Sequence, residues 1–271
     1  TDSASGEKLL GVNVIVKGTQ MGATTNAYGF YSLTLPQGDY TLQVAYLGFK
    51  TIEETLLLKG NLRRNYKLLE EDIALEGIEI TAHSTPKVDI RTPQMSVASI
   101  PIQTIKKLPV LVGEVDIIKS LQQLPGVSNA GEASSGFNVR GGAADQNLIM
   151  LDQATIFNAS HLFGFLSIYN ADAIRDMKLY KGGMPARYGG RISSVLDVYQ
   201  KDGNNTQFHA TGGIGVLSSR LLAEGPIVKD KSSFLIGGRA SYAHLFLKLT
   251  DNNNSAYFYD LNTKLNTKID D

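Results

Sequence analysis

The sequence contains no cysteine and no tryptophan. The missing cysteine excludes a disulfide scaffold, a zinc ribbon, an iron–sulfur cluster and thiol catalysis. Net charge is also missing, because 26 Lys+Arg offset 26 Asp+Glu. That balance argues against a nucleic-acid binder, which needs a basic face. No run of about 18 apolar residues occurs, so a transmembrane helix is excluded. A β-barrel is not, since its short alternating strands escape a hydropathy window.

Catalytic and metal-binding signatures are equally scarce. None of the four histidines, His83, His161, His209 and His244, begins a His-Glu-x-x-His pair. There is no Gly-x-Ser-x-Gly elbow and no phosphate-cradling Gly-x-x-x-x-Gly-Lys loop. The run Asp251 to Ser255 starts like a calcium loop, but Ala256 replaces the turn glycine and Asn262 the bidentate glutamate. An enzyme, a metal and a cofactor are therefore not expected.

Glycine is what the chain has in excess, at 27 of 271 residues against an average near 7%. Glycine serves turns, bulges and close backbone approaches. The hydrophobic content of 42% suffices for a real core, and the length suggests about two domains. Thr1 to Gly6 is polar, with no starting Met and no signal peptide, as expected of a mature or truncated form.

Residues 1–72 read as a small β-sandwich. Val12, Val14 and Val16 alternate with Asn13, Ile15 and Lys17, and Tyr40, Leu42, Val44 and Tyr46 share one face. A strand is expected at Phe30 to Leu35, after the turn Asn26-Ala27-Tyr28-Gly29, and another from Ile52 to Leu58. Residues 73–95 read as a linker carrying one extended segment, Leu75-Glu76-Gly77-Ile78-Glu79-Ile80-Thr81-Ala82. Such a segment either pairs with the sandwich or is captured by another protein as an added strand.

Residues 96–203 mix α and β. Ile117, Leu121 and Leu124 predict an amphipathic helix over Gly113 to Leu124, stopped by Pro125-Gly126. Short strands are expected at Phe137 to Arg140, Leu148 to Leu151, Met177 to Tyr180 and Ile192 to Tyr199, with a capped helical turn at Asn170 to Ile174. Arg140-Gly141-Gly142 suits either an anion cradle or a buried arginine, with Asp152 as the candidate partner. In residues 204–271, Tyr257, Tyr259, Leu261, Leu265 and Ile269 alternate with Asp260, Asn262, Lys264 and Lys268. Phe208 to Val216 and Leu235 to Leu247 are further strand candidates, with a tight turn expected at Pro226 to Asp230. The alternation fits a membrane strand, with one face to lipid, and equally a soluble sheet with one wet face.

One ordered series of motifs goes further. It runs Phe137-Asn138-Val139-Arg140-Gly141-Gly142, then Leu148 to Asp152, then Lys181-Gly182-Gly183-Met184-Pro185-Ala186-Arg187-Tyr188-Gly189-Gly190-Arg191 and on to Val198. This series resembles the plug domain of TonB-dependent outer-membrane receptors. Phe157 to Phe165 is similar to the Bacteroidetes branch of that family. Gly11 to Tyr31 and Gly38-Asp39-Tyr40 resemble the carboxypeptidase-regulatory-like sandwich that often precedes the plug. Residues 75–82 are similar to a TonB box, with Gly77-Ile78 where Glu-Val is common.

The resemblance implies a mixed β and α+β chain: a small β-sandwich, an α+β plug, and the antiparallel strands of an incomplete outer-membrane barrel. It tips the C-terminal strands toward lipid and the segment 75–82 toward capture. It implies energised import gated by the plug, with TonB, outer-membrane lipid, an unassigned ligand and a surface lipoprotein as partners. Its plug motif falls on Arg140, Gly141, Gly142, Asp152, Lys181, Gly182, Arg187, Tyr188, Gly189, Gly190 and Arg191. Both Arg140 and Arg187 are expected to make structural contacts inside the plug or to barrel carboxylates. A non-transporting surface or periplasmic binding module is the alternative, and a peptidase accessory domain a weaker third.

Overall fold

The computed structural model describes residues 1–19, 21–71, 96–106, 115–131, 136–161, 164, 166–248 and 257–269. They fall in two compact units, Thr1–Pro93 and Gln94–Asp271. The segment 75–82 lies outside the described residues.

The first unit is built on one antiparallel sheet. Its strands are β1 (Asn13–Val16), β2 (Gly22–Thr24), β3 (Gly38–Ala45) and β4 (Ile52–Leu58), in the order β2-β1-β3-β4. The period-2 alternation puts Val14, Val16, Leu42 and Val44 into a core with Leu9, Val12, Phe49 and Leu68. Residues 30–35 form no ladder, although Tyr31, Leu33 and Leu35 all pack on that core. Alternation reports a buried face, not a hydrogen-bonded neighbour, so the expected strand becomes an extended covering layer. The chain start closes the same layer: the Thr1 ammonium donates to the Tyr66 carbonyl at 2.8 Å, and Asp2 bridges Leu68.

The second unit opens with β5 (Val97–Pro101), α1 (Ile102–Lys106), α2 (Ile117–Leu121), β6 (Val127–Asn129) and β7 (Phe137–Val139). Next come β8 (Asn147–Leu151), β9 (Ala154–Thr155), β10 (Ser160–His161), β11 (Leu166–Ser167), β12 (Ile174–Tyr180) and β13 (Ser194–Gln200). A mixed five-stranded sheet runs β5-β12-β13-β8-β9, with β8 and β13 parallel and the other pairs antiparallel. One of its faces, with Met177, Leu179, Leu196 and Val198, buries Ile102, Ile105, Ile117, Ile118 and Leu121 of the two helices.

Helix α2 is shorter than the expected span. Asp116 caps its start by accepting the Lys119 N–H at 3.1 Å, and Gly126, at φ 78°, follows its end. The expected capped turn at Asn170 is a single turn that gives way to β12 at Ile174: the Asn170 side chain accepts the Asp172 N–H at 3.0 Å, and the Asn170 carbonyl accepts the Ala173 N–H at 3.0 Å. Asp152 and Gln153, at φ 47° and 71°, make the two-residue hairpin turn between β8 and β9.

Four further strands, β14 (His209–Ile214), β15 (Ser218–Val228), β16 (Ser232–Ser241) and β17 (Tyr259–Thr267), pair in sequence order as an antiparallel meander. Strand β15 runs through Pro226, where the register slips in a bulge that spares the ladder an N–H. The reversal therefore sits at Lys229-Asp230, with Asp230 at φ 60°. Strand β16 stops at Ser241, and a helix, α3 (Ala243–Lys248), follows where a strand was expected. The Ser241 hydroxyl accepts the Ala243 N–H at 3.2 Å, and a short apolar run does not by itself distinguish strand from helix.

Gly203 joins the five-stranded sheet to the meander. Its φ is +84°, and a Cβ there would lie 2.5 Å from the Phe234 carbonyl oxygen. Gly203→Ala combines a left-handed backbone with a clash against main chain. It should cost about 3 kcal/mol, read as an earlier thermal loss of β-sheet circular dichroism. An unchanged midpoint would contradict this packing.

Candidate functional site

The meander wears its faces in reverse. Ile214, Tyr259, Leu261 and Leu265 are 91%, 78%, 75% and 69% exposed. The opposite face carries Arg220, Glu224, Arg239, Asp260 and Lys264, turned toward the rest of the unit. A water-soluble sheet buries its apolar face; this sheet buries its charges.

Those charges find partners on the five-stranded unit. Arg220 Nε donates to Asp172 at 2.7 Å, and Lys106 of α1 reaches the other Asp172 oxygen at 2.8 Å. Lys264 Nζ lies 3.1 Å from Asp152, 2.9 Å from Asp202 and 3.2 Å from the Gln200 carbonyl oxygen. Lys201 approaches Glu224 at 3.5 Å. Arg239 pairs with Asp260 across the ladder at 2.6 Å and donates to the Ser167 carbonyl at 2.7 Å. Asp260 also holds His161 at 2.7 Å. Between these links the apolar contact is small: Ala173 with Leu222 and Leu235. Gly237 leaves room there, since a Cβ on it would come within 2.7 Å of Leu222.

Burial pushes the Asp172 carboxyl upward, but Lys106 and Arg220 outweigh it and hold it below the ordinary carboxylate value of 3.8. In the five-stranded sheet, burial raises Asp176 against the pull of Arg175, and lowers Lys178 against Asp176 and Asp197.

Two family models match the chain. Residues 1–80 match the CarboxypepD_reg-like domain, and residues 89–195 match the TonB-dependent Receptor Plug Domain. Residues 89–195 carry the plug domain of TonB-dependent receptors, behind a carboxypeptidase-regulatory-like domain. The chain is 37% identical over 87 residues to TonB-dependent receptor P3 of Formosa agariphila, covering 32% of this chain and 8% of that protein. It is 27% identical over 214 residues to TonB-dependent receptor SusC of Bacteroides thetaiotaomicron, covering 75% of this chain and 20% of that protein. The match to the solved siderophore receptor PirA of Pseudomonas aeruginosa has 18% identity and a TM-score of 0.43, over 65% of this chain and 31% of that one. The matched stretches thus span no more than a fifth of these curated relatives.

Within the plug, the expected motif residues separate into three places. Arg140, at φ 50°, is exposed; its guanidinium donates to the Ser96 hydroxyl at 2.9 Å and stands 3.0 Å from where a Gly182 Cβ would be. Lys181 joins this group, with its N–H on the Ser96 carbonyl at 2.9 Å and its ammonium on the Pro125 carbonyl at 3.0 Å. Gly141 stands at φ 82°, and Gly142 is pressed against Ser193, whose hydroxyl a Cβ would overlap.

In the second place, Arg187 lies 4.7 Å from the Tyr188 ring centroid and donates to its hydroxyl at 3.0 Å. Tyr188 and Tyr199 both donate to the fully buried Asp197, at 2.8 and 2.5 Å. Burial, with Asp197 beside it, pushes the Tyr188 phenol well above its usual value. A Cβ on Gly189 or Gly190 would meet nothing within 4 Å, and Arg191 donates to the Gly190 carbonyl at 3.0 Å.

In the third place is Asp152. The expected Arg140–Asp152 pair does not form: Asp152 serves Lys264 and the Gln200 N–H, and Arg140 is a surface residue held by a hydroxyl. The hairpin turn at Asp152 carries its carboxylate to the meander and away from Arg140. Both arginines do make structural contacts, though to a serine and a tyrosine and not to carboxylates.

The residues that join plug to meander, Asp172, Asp202, Arg220, Arg239, Asp260, Lys264 and His161, are largely absent from the sequence motif. For Arg220, Arg239, Asp260 and Lys264 the signal was the charged face of an alternating strand, which pattern alone reads as solvated; Asp172, Asp202 and His161 lie outside such strands.

Asp172→Asn should cost about 2 kcal/mol at pH 7, less than for a fully buried pair because Lys106 is about a third exposed. The stabilisation from Asp172 is complete above about pH 4 and disappears as pH falls through its lowered value. Thermal melts of wild type and variant between pH 3 and 7 should therefore converge in acid. Parallel curves throughout would contradict the ionic link.

Proposed function

We propose that this chain supplies the plug and first wall strands of an energised outer-membrane importer. The reversed meander carries the reading: an apolar outward face suits hydrocarbon, and a charged inward face suits a lumen filled by the plug. The plug would then close the lumen from inside, with the first unit and the segment 75–82 on the periplasmic side. TonB would take up residues 75–82 as an added strand and pull, since main-chain bonds along an extended segment bear load without needing a pocket.

The seam between plug and wall supports this role. Its links are mostly ion pairs on largely buried side chains, whose desolvation cost offsets much of their attraction, so that both partners regain hydration when parted and re-form the pair afterwards. The plug's own core is dry and apolar, with Ile105, Ile117, Leu121, Met177 and Leu196 essentially inaccessible. A pull would part the seam before the core. Opening by displacement or partial rearrangement then costs less than unfolding the whole plug, and the seam can reset afterwards.

Deleting residues 75–82 from the full-length receptor should abolish energised uptake while leaving ligand binding at the cell surface intact. Uptake at the wild-type rate would contradict the assignment of this segment. Loss of binding as well would contradict the division between a pulling segment and a closing plug.

A further inference from the structure

We propose that His161 and Asp260 form a pH-sensitive latch that fastens the β10–β11 hairpin of the plug to the wall, a proposal that rests on the plug-and-wall reading above. The hairpin is short: Ser160 faces Ser167, and His161 faces Leu166. Three groups from the wall grip it. Asp260 of β17 meets His161 Nε2 through Oδ1 at 2.7 Å and Arg239 through Oδ2 at 2.6 Å. Arg239 of β16 donates onward to the Ser167 carbonyl at 2.7 Å. The Phe258 ring lies between them, stacked on His161 at 4.4 Å with planes 8° apart, and 5.0 Å from the Arg239 guanidinium carbon. On the plug side, Asp116 at the start of α2 accepts the Ser167 N–H at 2.9 Å, so the hairpin is tied to the core helix as well.

The charges facing His161 are thus Asp260 and, behind it, Arg239; the described hairpin residues Ser160, His161, Leu166 and Ser167 add no other charge. As an imidazolium, His161 completes a chain of alternating sign: histidine cation, carboxylate, arginine cation. As a neutral ring it keeps only an uncharged hydrogen bond, while Asp260 remains paired with Arg239 inside the wall. Histidine is the side chain whose ordinary titration falls between pH 5 and 8. Protonation adds a charge-assisted bond between plug and wall, so the latch is tight in mild acid and loosens as pH rises. The stacked Phe258 holds the ring in place in both states, which makes the change one of grip and not of position.

The test uses the full-length receptor in lipid vesicles, without ligand or TonB, and reads amide hydrogen exchange of the β10–β11 hairpin from pH 5.5 to 8. After correction for the intrinsic pH dependence of exchange, wild-type protection should fall about five-fold as pH rises. His161→Gln, which keeps a hydrogen-bonding group, and His161→Phe, which keeps the stacking, should both show flat profiles. A wild-type profile as flat as the variants', or a variant that keeps the wild-type slope, overturns the latch. Exchange here needs neither transport nor TonB. A failed latch alongside uptake that still depends on residues 75–82 refutes the latch alone, and the reverse pattern refutes the transport reading alone.

Discussion

A β-strand has two faces and no choice about alternating them. In β14 to β17 that constraint is resolved with apolar side chains outward and charged ones inward. The choice binds the rest of the unit. Inward charges need partners, and the plug supplies Asp152, Asp172, Asp202 and His161 where the wall supplies Lys264, Arg220 and Asp260. On the proposed reading the outward apolar residues meet hydrocarbon, which tolerates a sheet only when its backbone is paired.

Two kinds of cohesion follow, and they do different jobs. Inside the plug, helices α1 and α2 close one face of a mixed sheet with aliphatic side chains, which gives a body that holds its shape. At the seam, carboxylates and cations meet in pairs and triads, with a small apolar contact of Ala173 with Leu222 and Leu235 and the stack of Phe258 on His161 among them. On the proposed reading, in which the plug moves as a piece within a fixed wall, this order is what is needed: firm within, separable at its boundary. Glycine serves the same end where main chains approach, as at Gly203 beneath Phe234 and Gly142 against Ser193.

The sequence carried much of the fold in its alternation. Val14, Val16, Leu42 and Val44 declare the first sheet, and the apolar and polar faces of residues 257–269 were both legible. What alternation could not say was which face is inside, since a wet sheet and a lipid-facing strand are written identically. It also overstated regular structure: residues 30–35 pack without pairing, and residues 243–248 turn helical after a strand-like run. The plug motif identified the plug domain, yet named few of the residues that join plug to wall. Those partners lie far apart in the chain, as Asp152 and Lys264 do, and each looks like an ordinary surface charge until the topology brings them together.

The reversed faces of the meander are the claim on which the rest stands. Residues 1–271 contain no cysteine; in the membrane-embedded receptor, with any cysteine outside them replaced, single cysteines at Tyr259, Asp260, Leu261, Asn262, Thr263, Lys264 and Leu265 give clean labelling sites. Nitroxides attached along this strand should alternate. Positions 259, 261, 263 and 265 should be accessible to oxygen dissolved in lipid, and positions 260, 262 and 264 shielded from it. A strand whose apolar positions respond instead to a water-soluble relaxation agent, or one with no alternation, would contradict the account.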